Sequence, residues 1–159
     1  MKRVEMKYLA MNALIAALYA VVTFAIAPIA YGAIQMRISE IIVFLAFYNK
    51  KYIPGLVIGC FIANIRSKLG IWDLIFGTLS TVVVCFSMYY IRNIFIAAIA
   101  GSIITGIIIG AELTVLFADP FVVNFLYVFI GEVVVLMIGA LLFKLVERNK
   151  VFMNKYILE

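Results

Sequence analysis

Histidine is absent from this chain, and cysteine, proline and tryptophan are scarce: two, three and one in 159 residues. Without histidine, no Ser/His/Asp or Cys/His nucleophile set can form. A structural metal site of the Cys/His type has too few ligands. Cys60 and Cys85 both lie inside apolar runs and read as small buried hydrophobes. No stretch matches G-x-x-x-x-G-K-[ST], so the chain carries no phosphate-cradling loop of that kind. A carboxylate pair is the one catalytic device left, and nothing beyond the acids themselves supports it. The reading is therefore a non-enzyme with no cofactor. Charge is sparse as well: 13% of residues are charged, against about 25% in a soluble domain. The net charge of +5 does not indicate nucleic acid, because the basic residues sit at the ends of apolar runs rather than on one face of a soluble fold.

What fills the chain instead is hydrocarbon. Hydrophobic residues make up 67% of it, and the mean hydropathy is +1.20. That composition takes lipid as its solvent. Six apolar segments can be placed, at 8–27, 38–48, 53–65, 74–91, 94–116 and 121–143. The second and third are short for a bilayer that calls for about 20 residues per helix, so they tilt, extend or meet thinned lipid. The first segment exceeds the 7–15 residues typical of a signal-peptide core, and Pro28 would follow the apparent Ala25-Ile26-Ala27 cut site. It reads as a retained span. The expectation is an all-α integral membrane bundle of six transmembrane helices, with residues 1–159 forming one membrane-embedded domain in the lipid bilayer.

Basic residues orient it. Lys2, Arg3, Lys7, Lys50, Lys51, Arg92, Lys144, Arg148, Lys150 and Lys155 share one side, and only Arg37, Arg66 and Lys68 the other. The positive-inside bias makes both termini cytoplasmic. Polar residues then gather toward the outer side. Gln35, Arg37 and Glu40 flank the start of the second segment, Asn64 ends the third, Asp73 and Trp72 begin the fourth, and Glu112 and Asp119 lie near the outer end of the fifth. Glu132 lies 11 residues into the last segment, roughly 16 Å deep. Charged groups in hydrocarbon cost roughly 2.5–3.5 kcal/mol on insertion scales, so they persist where they face a protein interior, water or a ligand. A pocket opening outward is expected.

Plainer roles exist for several of these. Arg37 and Glu40, three apart, can pair on one helical face. Asp73 can be an N-cap, Trp72 an interfacial anchor, and Asp119-Pro120 a loop whose proline opens the last helix. Small residues recur at helical spacing. Gly55/Gly59, Ser102/Gly106 and Gly106/Gly110 suit packing within the chain. Ala13, Ala16, Ala17 and Ala20 form a stripe on the first span that can meet either this chain or a partner.

In combination, the run Gln35-Met36-Arg37-Ile38-Ser39-Glu40, the run Pro54 to Asn64, and Ser67, Gly70, Asp73 and Phe76-Gly77-Thr78 resemble the QueT family. These are substrate-binding S components of energy-coupling-factor (ECF) transporters, assigned to queuosine precursors. The resemblance runs over nearly the whole chain and is densest from residue 35 to 81. It implies a subunit that captures solute from outside and docks, through the alanine stripe, on a shared transmembrane coupling subunit with two cytoplasmic ATPases. The implied solute is a 7-deazaguanine such as 7-aminomethyl-7-deazaguanine. Its paired N–H edge suits one carboxylate, its ammonium a second, its 6-oxo group a donor such as Asn64 or Gln35, and its flat ring an aromatic side chain such as Trp72. The binding set implied is Gln35, Arg37, Glu40, Asn64, Trp72, Asp73, Glu112 and Glu132, and which acid meets which edge stays open. Alternatives are an S component for another vitamin-like solute, a proton-coupled secondary transporter using the same acids, and a small membrane enzyme. A secondary transporter calls for repeats or broken helices, and no internal repeat is evident.

Overall fold

A computed structural model describes residues 2–27 and 36–158, and among these residues every regular element is helical. Four helices are long and apolar enough to cross a membrane: α1 (Lys2–Ala25), α4 (Ile71–Tyr90), α5 (Ile94–Phe117) and α6 (Phe121–Glu147). Their 20 to 27 residues span about 30–40 Å at 1.5 Å per residue. Between α1 and α4 lie two shorter pieces. A 3₁₀ turn, Ile38–Val43, leads into α2 (Phe44–Tyr48), and a 3₁₀ turn at Lys50–Tyr52 leads into α3 (Ile53–Asn64). The second expected span is thus half 3₁₀ rather than a continuous α-helix. The 12 residues of α3 reach only about 18 Å.

These short pieces stay in place because small residues let them sit deep. α3 runs alongside α1. A Cβ on Gly59 would stand 2.8 Å from Tyr19 Cβ and 3.0 Å from Ala16 Cα, and one on Gly55 would be 2.7 Å from the Asn12 backbone oxygen. That contact leaves no room for a side chain. Asn12 completes the seam, accepting from the Gly55 N–H at 2.7 Å and donating to the Lys51 carbonyl at 3.0 Å. The pair α5/α6 uses the same device, with Gly106 and Gly110 receiving Phe125. The glycine pairs therefore pack within the chain, as their spacing suggested.

The alanine stripe splits. Ala16 and Ala20 are buried against the bundle, whereas Ala13 and Ala17 are exposed. The smooth face that the spacing predicts is half internal packing.

The basic end is stitched by local contacts. The Lys51 ammonium bonds the Tyr8 hydroxyl and lies 4.4 Å over the Tyr8 ring. Lys50 sits 5.7 Å over the Tyr89 ring. The C-terminal segment, a short α-turn (Lys150–Phe152) followed by a π-helical turn (Met153–Leu158), folds under this end. It buries Met153 and Ile157, and the Ile157 carbonyl accepts from the Tyr52 hydroxyl at 3.1 Å. At the opposite end of the core lies a cluster of polar side chains.

Candidate functional site

The cluster starts from one backbone choice. Arg37 is extended, at φ −84° and ψ 91°, immediately before the 3₁₀ turn. Its side chain therefore does not run along the helix toward Glu40 but crosses to α4. There Nη2 donates to both carboxylate oxygens of Asp73, at 2.9 and 3.1 Å. Both residues are buried, Arg37 at 4% and Asp73 at 0% exposure. The expected Arg37–Glu40 pair is thus replaced by a non-local ion pair. Asp73 is also not the N-cap of its helix. Gly70 takes that position with φ +62°, a conformation L residues rarely adopt, and Asp73 lies in the first turn. A carboxylate there also faces the positive end of the helix dipole.

Glu40, freed from Arg37, accepts a hydrogen bond from the buried Tyr19 hydroxyl of α1. One turn on, Thr23 bonds the Ser39 hydroxyl at 2.7 Å and its own helix at the Tyr19 carbonyl, 2.9 Å. α1 thereby fixes both polar side chains of the 3₁₀ turn. On α3, Cys60 is more than a small hydrophobe. Its sulfur accepts from Asn64 Nδ2 at 3.3 Å and from the Thr81 hydroxyl at 3.0 Å, and Arg37 Nη1 stands 3.9 Å away. Cys85 stays in the apolar core. Gly77 leaves space for these groups. A Cβ there would be 2.5 Å from Asn64 Nδ2 and 3.0 Å from Asp73 Oδ1.

Arg37, Glu40, Gly77, Ser80, Thr81, Thr105, Ile109 and Glu132 enclose a cavity of about 10 Å³, room for roughly one water. Small-molecule clefts run to about 300–1,000 Å³, so a bicyclic ring enters only if these walls move apart. Ser80 and Thr105 close one side through a 3.3 Å hydroxyl contact between α4 and α5.

Acidic side chains outnumber basic ones in this cluster. Arg37 answers Asp73, while Glu40, Glu132 and Glu112 are also buried, at 6%, 2% and 1% exposure. Among the described residues, Glu132 Oε2, both oxygens of Glu112 and Asn64 Oδ1 are buried without a hydrogen-bond partner. Each is an acceptor site, and a buried acceptor left unmet costs about 1–3 kcal/mol.

The structure thus brings together Arg37, Glu40, Asn64, Asp73 and Glu132, with Glu112 within electrostatic range of Asp73 and Arg37. It sets Trp72 apart. The indole is 41% exposed and stacks on Phe76 at 5.9 Å, and it does not line the cavity. The aromatic that reaches the cluster is Tyr19. Gln35 lies outside the described residues. Asn124 stitches α5 to α6 by donating to the Thr114 hydroxyl at 3.1 Å. Pro120 occupies the N-cap position of α6, one residue before the helix starts.

Sequence reasoning missed Tyr19, Thr23, Ser80, Thr81 and Thr105. A signal existed for the first two. They are four apart, on the face of α1 that also carries Ala16 and Ala20. Hydroxyl residues within spans bond their own helix so readily, as Thr81 does to the Gly77 carbonyl at 3.1 Å, that they raise no flag in a hydropathy reading.

Comparison with known proteins places the chain in a family. The model of the QueT transporter family matches residues 9–148. A curated relative, the "Queuosine precursor transporter QueT" of Lactococcus lactis subsp. cremoris (strain MG1363), is 48% identical over 73 residues. That match covers 45% of this chain and 43% of the relative, so it spans less than half of the relative's length. No solved structure matches. With four apolar helices of membrane length among the described residues and a family match across nearly the whole chain, this is a multi-pass plasma-membrane protein, and it belongs to the QueT transporter family, a family of transporters rather than enzymes.

Proposed function

We propose that the chain is the membrane substrate-binding subunit of an ECF-type transporter and captures a queuosine precursor, a 7-deazaguanine, from outside for ATP-driven uptake. The observation that carries this reading is the buried cluster in which carboxylates outnumber the one guanidinium and acceptor oxygens lack partners. Such a site calls for a ligand rich in N–H donors and bearing positive charge. A 7-deazaguanine with an aminomethyl arm has both. Glu132 and Glu40 flank the cavity and take the paired N–H edge. Arg37, on the same wall, is a donor suited to the 6-oxo group. The relative's name, a queuosine precursor transporter, points to the same chemistry. In this reading the two short segments complete six spans, both termini are cytoplasmic, and the cluster faces outward.

The test separates a binding subunit from a self-sufficient pump. By isothermal titration, the purified chain is expected to bind 7-aminomethyl-7-deazaguanine tightly. Reconstituted alone in liposomes, it is expected to show no uphill uptake, with or without a proton gradient, because no nucleotide-binding loop is present in its sequence. Proton-driven accumulation would move the assignment to a secondary transporter using Glu40 and Glu132. Tight binding of riboflavin, biotin or thiamine instead would keep the subunit and change the solute.

Docking on a coupling subunit rests on the exposed half of the alanine stripe. Ala17→Trp is expected to block co-purification with the coupling module while leaving solute affinity within about two-fold, since Ala17 already faces outward. Ala16→Trp, at a buried position, is expected to unfold the α1/α3 seam instead. Normal assembly of the Ala17 variant would mean that the coupling subunit meets another face.

A further inference from the structure

Glu112 makes none of the hydrogen bonds or ion pairs described so far, yet it is buried. Its side chain is 1% exposed. Among the described residues, both carboxylate oxygens are buried without a hydrogen-bond partner. Among the described residues, the cation within electrostatic range of it is Arg37, whose guanidinium is engaged by Asp73 at 2.9 Å. Protonation does not resolve the conflict. A neutral carboxyl would carry an O–H donor, and among the described residues neither oxygen of Glu112 has a group within hydrogen-bond distance to receive it. A buried group left unmet in either state is costly, which makes it a candidate for contact with something the chain itself does not supply.

Its position says what that is. Thr105 and Ile109 of α5 line the cavity, and Glu112 follows Ile109 by three residues on the same helix. It therefore lies about 4.5 Å beyond Ile109, toward the outer end. Arg37, on the cavity wall, lies within electrostatic range of Glu112. A flat base whose N–H edge meets Glu132 thus extends its opposite edge, and any arm on that edge, toward Glu112.

We propose that Glu112 receives a primary ammonium on the ligand's arm and so sets selectivity between amine-bearing and neutral deazaguanines. An ammonium has three donors and can satisfy both oxygens at once. It also brings the positive charge that the group Arg37, Asp73 and Glu112 lacks when both acids are ionised. Glu132 and Glu40 do not serve this end, because they share the cavity wall with the ring edge. The inference rests on the deazaguanine reading above and adds the role of one residue to it.

The experiment is titration of the wild type, Glu112→Gln and Glu112→Met with two ligands, 7-aminomethyl-7-deazaguanine and 7-cyano-7-deazaguanine. Both variants are first checked for folding by thermal unfolding in detergent. Wild type is expected to favour the amine. Both substitutions are expected to weaken the amine by at least about 30-fold, the loss of one buried charged hydrogen bond, and to leave the nitrile within about three-fold. The preference then collapses. Equal loss for both ligands would place Glu112 on the ring edge and overturn the proposal. No loss for either would make the carboxyl structural and overturn it too. A wild type that binds neither ligand would instead sink the deazaguanine reading itself, an outcome distinguishable from the other two.

Discussion

Arg37→Met is expected to lower unfolding stability by about 3–5 kcal/mol. The substitution leaves the Asp73 carboxylate, at 0% exposure, without the cation that holds it at 2.9 Å. Burying an isolated charge costs more than losing a bond between neutral groups, since neither water nor a counter-charge is at hand. The same residue braces two other elements: Nη1 reaches Cys60 on α3, and the residue itself opens the 3₁₀ turn that carries Glu40. The double variant Arg37→Met/Asp73→Leu is expected to recover most of the stability, because replacing both charges with apolar groups removes the desolvation penalty altogether. It should not recover solute binding, since the donor on the cavity wall is gone. Denaturant or thermal unfolding in detergent, run beside isothermal titration, reads both quantities. An Arg37→Met protein as stable as the wild type would show that the pair is not what holds α4 to the 3₁₀ turn.

Glu132→Gln and Glu40→Gln are each expected to weaken binding of the deazaguanine by about 2 kcal/mol or more, roughly 30-fold. The two act differently. Glu132 Oε2 has no partner among the described residues, so the amide in its place loses a charge-assisted bond to the ligand without disturbing an internal one. Glu40 already accepts from the Tyr19 hydroxyl. A glutamine there can keep that bond through its carbonyl while turning one N–H pair of its own toward the ligand's donors, which repels. Both proteins should fold, because an amide is cheaper to hold in a membrane than an unpaired carboxylate. Unchanged affinity in both variants would assign these acids to structure and leave Glu112 and Asn64 as the ligand contacts.

Some of this was settled by the sequence alone, and the division follows from what is local. The sum of hydropathy over a window depends only on the residues in it. The four long helices, α1, α4, α5 and α6, were therefore legible to within a few residues. The glycine pairs that pack α3 on α1 and α5 on α6 were legible for the same reason, since the spacing that makes a smooth stripe is a property of one helix. The rarity of acids inside apolar runs pointed to Glu40, Glu112 and Glu132 before any partner was known. Who pairs with whom was not local. Arg37 and Glu40 are three apart and suited to each other on a helix, but an extended residue at 37 sends the guanidinium 36 positions along the chain to Asp73. Whether an alanine faces its own bundle or the outside depends on which helix lies against it, so Ala16 and Ala20 parted from Ala13 and Ala17 only in three dimensions. Tyr19 went unnoticed beside Trp72 for the same reason. Each aromatic is equally at home in lipid, and only the packing of α1 against the 3₁₀ turn brings the Tyr19 hydroxyl to Glu40 and leaves Trp72 against Phe76.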